Sequence, residues 1–212
     1  EICIPAAFNA DLEVMWLGSD TRVDCGGHAP ALADLEGDGT VEVVLGPFIL
    51  EGATGETRAV NGDGQGRYFA YEEIGMHVAV ADLDGDAISE ILLGNVLVDP
   101  LGQTICEVTE LEDGYTAAAD FTGDGQGEVV VVGNGQVGIY DANCEVLGTW
   151  MLVGGGTGGP PTVSDFDTDG KVEIGIADAQ TYSVYEADGT VVWSHEVADE
   201  SSHATGSVVF DF

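Results

Sequence analysis

The chain of 212 residues carries 39 Asp and Glu against 4 Lys and Arg, a formal charge of −35, and 32 of its residues are Gly. Such an acidic excess is repelled by phosphate backbones and anionic headgroups, which makes nucleic acid and membrane surfaces poor partners and argues for no nucleic-acid binding and no membrane insertion. Yet 44% of the residues are apolar, more than a charged disordered polymer contains, so the chain folds around a buried core.

No apolar run reaches the roughly 18 to 20 residues that a membrane span requires. The densest, Val129 to Val132, ends at Gly133. In chain order, Leu12 to Trp16 reads as an N-terminal strand segment. A first unit, about residues 28–75, opens on ALADLEGDGTVEVVLG at Ala31. It contains the polar insertion Asn61 to Arg67 and one helical turn at Glu72 to Gly75. A second unit, 76–115, carries AVADLDGDAISEILLG from Ala79, and a third, 116–160, carries AAADFTGDGQGEVVVVG from Ala117. The stretch Gly154 to Pro161 (GGGTGGPP) lacks the Lys-Ser/Thr of a phosphate-binding loop and reads as a connection. A fourth unit, 161–206, carries TVSDFDTDGKVEIGIA from Thr162, with strands at Val172 to Ala177, Tyr182 to Glu186 and Val191 to Ser194 around an Asp188-Gly189 turn. A partial fifth copy, 207–212, begins SVVFDF at Ser207.

The leading aspartates Asp34, Asp82, Asp120, Asp165 and Asp211 recur at intervals of about 40 to 50 residues, the length of one four-stranded propeller blade. Short β-branched and aromatic runs bounded by Gly, Asp and Asn, with no sustained helical period, complete an all-β pattern. The expected fold is a single β-propeller of four-stranded antiparallel blades: four complete repeats plus terminal strands (Leu12 to Trp16, Ser207 to Phe210) sharing or awaiting a further blade. A shared fifth blade, a longer parent chain and a neighbouring subunit remain alternative ways to complete it.

Within each repeat, oxygen-bearing side chains fall at positions 1, 3, 5 and 9, with a backbone carbonyl at position 7. The first loop offers Asp34, Glu36, Asp38, Thr40 and Glu42; the second Asp82, Asp84, Asp86, Ile88 and Glu90. The third offers Asp120, Thr122, Asp124, Gln126 and Glu128; the fourth Asp165, Asp167, Asp169, Lys171 and Glu173. Hard cations such as calcium take 6 to 8 oxygen ligands, which a tight loop with alternate side chains turned inward supplies. Two carboxylates about 4 Å apart repel by about 4 kcal/mol at an effective dielectric near 20, so such loops need a cation to stay ordered. About four Ca²⁺ sites are expected.

These repeats, above all DxDGDxxxE at Asp82, resemble the FG-GAP or VCBS-type family of calcium-loop propeller blades found in integrin alpha chains and secreted bacterial proteins. The resemblance implies that each acidic loop joins the innermost strand of its blade to the second. It also implies an adhesive, ligand-binding or scaffold role, with a few relatives in polysaccharide-degrading enzymes.

Four cysteines without CxxC spacing (Cys3, Cys25, Cys106, Cys144) point to disulfides in an oxidising compartment, hence to an extracellular or cell-surface protein. Cys106 in a last strand and Cys144 near a turn of the next unit suit a bridge between neighbouring blades, leaving Cys3 with Cys25, although four cysteines allow three pairings. The histidines His28, His77, His195 and His203 sit at unrelated repeat positions, and Trp16, Trp150 and Trp193 at strand ends read as packing residues. No catalytic residues are assigned. The expectation is a non-catalytic structural or adhesive module with a protein or glycan partner at the cell surface, and a homo-oligomer or polymer such as a filament as a further form. The alternative is the propeller of a polysaccharide lyase or glycoside hydrolase.

Overall fold

The structure is a computed structural model that describes residues 2–18, 21–24, 28–63, 76–197 and 205–209. The expected helical turn at 72–75, most of the 61–67 insertion, Cys25, His203, Phe210 and Asp211 lie outside the described residues. Among those described, every regular element is a β-strand, and no helix is long and apolar enough to cross a membrane.

The chain begins with β1 (Ile2–Cys3), β2 (Ala6–Phe8), β3 (Val14–Leu17) and β4 (Val23–Asp24), which form two two-stranded sheets, β1 with β4 and β2 with β3. Four four-stranded antiparallel meanders follow. The first is β5 (Ala31–Ala33), β6 (Glu42–Leu45), β7 (Phe48–Glu51) and β8 (Thr57–Val60); the second is β9 (Ala79–Ala81), β10 (Glu90–Leu93), β11 (Val96–Val98) and β12 (Thr104–Glu107). The third is β13 (Tyr115–Ala119), β14 (Glu128–Gly133), β15 (Gln136–Tyr140) and β16 (Val146–Met151); the fourth is β17 (Thr162–Ser164), β18 (Glu173–Ala177), β19 (Thr181–Tyr185) and β20 (Val191–Glu196). Each acidic loop joins the first strand of a sheet to the second, and the first strands of successive sheets lie side by side.

The second and third strands are buried on both faces, which explains their unbroken apolar runs. Side chains alternate across a strand, so Val129 and Val131 of β14 pack with Leu92, Leu97 and Tyr140 toward the second sheet. Val130 and Val132 of the same strand pack with Ile139, Ile174, Ile176 and Tyr185 toward the fourth. Leu35, Val44 and Ile49 meet Ile91, Leu93 and Val96 between the first and second sheets. Three separate cores thus lie between four sheets. The disulfide between Cys106 of β12 and Cys144 in the β15–β16 turn, with Cα atoms 6.4 Å apart, crosses one of these boundaries. Cys3 is also disulfide-bonded.

The N-terminal hairpin repeats the third and fourth strands of the larger sheets. A register shift at Ala7/Phe8 matches those at Ile49/Leu50, Leu97/Val98, Ile139/Tyr140 and Val184/Tyr185 in the third-to-fourth-strand pairings. In its turn Asn9 accepts from the amides of Asp11 and Glu13, as Asp99 accepts from Leu101 and Gln103 and Asp141 from Asn143 and Glu145. Trp16 is buried against the first sheet and donates to the Gly52 carbonyl at 2.8 Å. Trp150 lies beside Tyr185, and Trp193 stacks on Tyr182 with ring centroids 5.8 Å apart.

Candidate metal centre

Local hydrogen bonds give the four loops one shape. The position-1 aspartate accepts backbone amides from further along its loop: Asp34 from Asp38 and Gly39, Asp82 from Gly85, Asp86 and Ala87, Asp120 from Gly123, Asp124 and Gly125, Asp165 from Asp169 and Gly170. The position-5 aspartate accepts the amide two residues on, so Thr40, Ile88, Gln126 and Lys171 are each fixed through their own N–H. The position-9 glutamate folds back to accept the position-2 amide, at 3.0 Å from Leu35, 2.9 Å from Leu83, 2.7 Å from Phe121 and 2.6 Å from Phe166. Such turns need left-handed backbone at positions 4 and 6, as at Gly123 (φ 76°) and Gly125 (φ 88°). Successive loops are also tied together, Ser89 N donating to Leu35 O and Gly127 N to Leu83 O.

This shape gathers negative oxygens. Asp165, Asp167, Asp169 and Glu173 each offer a carboxylate oxygen within 4.8 Å of the others, as do Asp82, Asp84 and Asp86, and Asp120, Asp124 and Glu128. Glu90 lies outside the second cluster, held by the Leu83 amide. Thr122 turns its hydroxyl to Glu128 Oε1 at 3.2 Å. Lys171 reaches Asp169 at 3.3 Å, but its side chain is 68% exposed.

The fourth cluster contains an unmet demand. Glu173 is fully buried; one oxygen accepts from Phe166, while Oε1 has no hydrogen-bond partner. A buried carboxylate oxygen without a donor is costly. A cation between Glu173 and the three aspartates removes that cost, so the donor set, all hard oxygen, fits a divalent ion of the calcium class.

Burial pushes the Glu173 carboxyl above its ordinary 4.5, helped by Asp167, Glu186 and Asp165 and opposed by the Phe166 amide. Burial likewise raises Glu90, with Asp84, Asp86 and Asp82 adding to the shift against the Leu83 amide. Without an ion, the folded chain therefore holds these protons more tightly than the unfolded chain. That contribution to stability is fully present below pH 4.5 and is lost as pH rises through the raised values. The thermal midpoint in chelator is expected to rise on acidification from pH 7 toward 5. With calcium the slope reverses, because protons then compete with the ion. Melts across this range in both buffers check the prediction, and parallel curves refute it.

No described histidine is a member of these acidic groups. His28 accepts the Met76 amide through Nδ1 at 2.9 Å. His77 packs edge-on to Tyr115, with its pKa lowered by burial and then by His28. His195 lies beside Trp193.

No family model matches the sequence, and no curated protein matches it by sequence. Among solved structures, the chain is similar to the V. cholerae biofilm matrix protein Bap1, with 25% identity and a TM-score of 0.66 over 88% of this chain and 31% of that one. It is similar to the rhamnogalacturonan lyase YesW, with 16% identity and a TM-score of 0.52 over 91% of this chain and 51% of the lyase. The Bacillus licheniformis rhamnogalacturonan lyase PL11 gives 16% identity and a TM-score of 0.51, over 89% and 50%. The chain thus spans about a third to a half of the length of these structures. The lyases share its fold.

Proposed function

We propose that this chain is a calcium-loaded β-propeller of the FG-GAP or VCBS type, acting outside the cell as a non-catalytic structural or adhesive module. The observation that carries the ion is Glu173, a buried carboxylate that has one oxygen without a partner and that clusters with three aspartates. The carbonyls of Ile88, Gln126 and Lys171 complete the oxygen sets at position 7. The four meanders are blades, and the β2–β3 hairpin, with its matching bulge, is the outer half of a further one. A biofilm matrix protein among the structural neighbours and a disulfide between sheets support the extracellular reading.

The mechanism is mechanical. Calcium pins the loops between first and second strands, the packed sheets transmit that rigidity outward, and the exposed turns meet a protein or glycan partner or another copy of the chain. The lyase likeness supplies the competing reading. Purified chain with calcium is expected to bind exopolysaccharide or cell-surface matrix, to detach in chelator, and to release no unsaturated ends from rhamnogalacturonan. Calcium-dependent growth of unsaturated ends overturns the non-catalytic reading, and binding indifferent to chelator overturns the mechanical one.

A further inference from the structure

The first acidic loop has the backbone of the other three but a different occupant. Asp34 accepts Asp38 N at 3.0 Å and Gly39 N at 2.8 Å, Asp38 accepts Thr40 N, and Glu42 accepts Leu35 N. Its carboxylates at positions 3 and 9 nevertheless meet a cation already in the chain. Arg58 Nη1 donates to Glu36 Oε2 at 2.8 Å and lies 3.5 Å from Glu42 Oε1. The corresponding side chains of the fourth loop, Asp167 and Glu173, belong to the open cluster. Among the described residues, carboxylates converge within 4.8 Å in the second, third and fourth loops, and no such group is formed by the first.

We infer that Arg58 is a tethered substitute for a bound metal ion, so that the first loop takes no calcium and the chain binds three ions. The inference rests on the calcium reading above and narrows it to particular loops. Several features of the chain combine to produce this. Position 3 of the first loop is Glu, one methylene longer than the Asp84 and Asp167 of its counterparts, and that extra length is available to reach a guanidinium on β8. Arg58 lies at the register shift of its hairpin, between the pairs Ile49↔Ala59 and Leu50↔Thr57. The residues at that place in the other sheets are Ile105, Leu147 and Val192, none able to supply charge. Glu42 is 1% exposed, and a carboxylate so buried requires a charged partner. Thr40 Oγ contributes further bonds, to Asp38 and to Glu42 Oε1.

The guanidinium is held at the site at a concentration fixed by the chain rather than by the medium. It also does something an ion confined to one loop does not. Arg58 Nη2 donates to the Pro100 carbonyl at 2.7 Å, in the turn between β11 and β12, and so links the first sheet to the second. Lys171 is no equivalent in the fourth loop: it touches one carboxylate from a side chain 68% exposed, whereas Arg58 is 21% exposed and bridges two carboxylates and a carbonyl.

Equilibrium dialysis of the full chain against calcium counts the ions. Three are expected for the natural sequence and for Asp34→Asn, two for Asp165→Asn, and four for Arg58→Gln, which leaves Glu36 and Glu42 free for an ion. Four ions in the natural sequence, falling to three in Asp34→Asn, overturn the inference while leaving the calcium reading intact. A folded Arg58→Gln chain that still binds three also overturns it. If Arg58→Gln does not fold, the counts for the natural sequence, Asp34→Asn and Asp165→Asn decide the matter alone. No bound ion in any of these chains overturns the calcium reading and this inference together.

Discussion

Stripping calcium from the chain is expected to lower its thermal midpoint by roughly 10 °C at neutral pH. Sites with affinities near 10⁻⁴ M in millimolar calcium each contribute about 1.4 kcal/mol by linkage, so three contribute about 4 kcal/mol. A change of 1 kcal/mol moves the midpoint of a domain this size by about 2 to 4 °C. The loss has a second source, because the clustered aspartates repel one another once the ion is gone. Two differences should separate this effect from a general effect of salt. Magnesium, which demands near-octahedral geometry and gives up water reluctantly, should restore less of the midpoint than calcium at equal concentration. The deficit should also be smaller for Asp165→Asn, which begins with one ion fewer. Scanning calorimetry with chelator, calcium and magnesium tests all of this, and a midpoint indifferent to chelator would remove the calcium account.

Opening the Cys106–Cys144 bridge should cost a similar amount by an independent route. The bonded residues are 38 apart in sequence, and closing a loop of that length restricts the unfolded chain by about 4 kcal/mol in the chain-entropy model. In the folded state the bridge fastens the last strand of the second sheet to a turn of the third, beside the core of Leu97, Val108 and Tyr140. The closed loop runs through the whole third acidic loop, Asp120 to Glu128. The double variant Cys106→Ser/Cys144→Ser, which leaves Cys3 untouched, should therefore melt roughly 10 °C lower. Its dependence on calcium should be steeper, since the ion then becomes the main local tether of the third loop. A midpoint within about 2 °C of the natural chain would show that packing between these sheets makes the bridge redundant.

Much of the candidate site was legible in the sequence because it is made by short-range contacts. Asp82 binds amides three to five residues ahead and Glu90 reaches back seven, so regular spacing of Asp, Gly and Glu is enough to specify such a loop. Strand order within each sheet was legible for the same reason, since sequential strands are joined through two to eight residues of turn chemistry. The bridge between Cys106 and Cys144 was one of three possible pairings, and only the packing of β12 against the β15–β16 turn selects it. The expected first-loop site, Asp34 to Glu42, looked equivalent to the others because nothing in its own nine residues announces Arg58.

The sequence alone determined the repeat, the all-β pattern and the four acidic turns, since each depends on residues close together along the chain. Tertiary structure decided which turns present an open cluster of oxygens. Arg58 lies 22 residues from Glu36 and 42 from Pro100, and Glu173 Oε1 is buried without a donor in the folded chain. Whether a carboxylate meets a guanidinium, a hydroxyl or nothing depends on which strands stack beside it, and that is fixed by burial of the apolar faces between sheets rather than by the spelling of the loop.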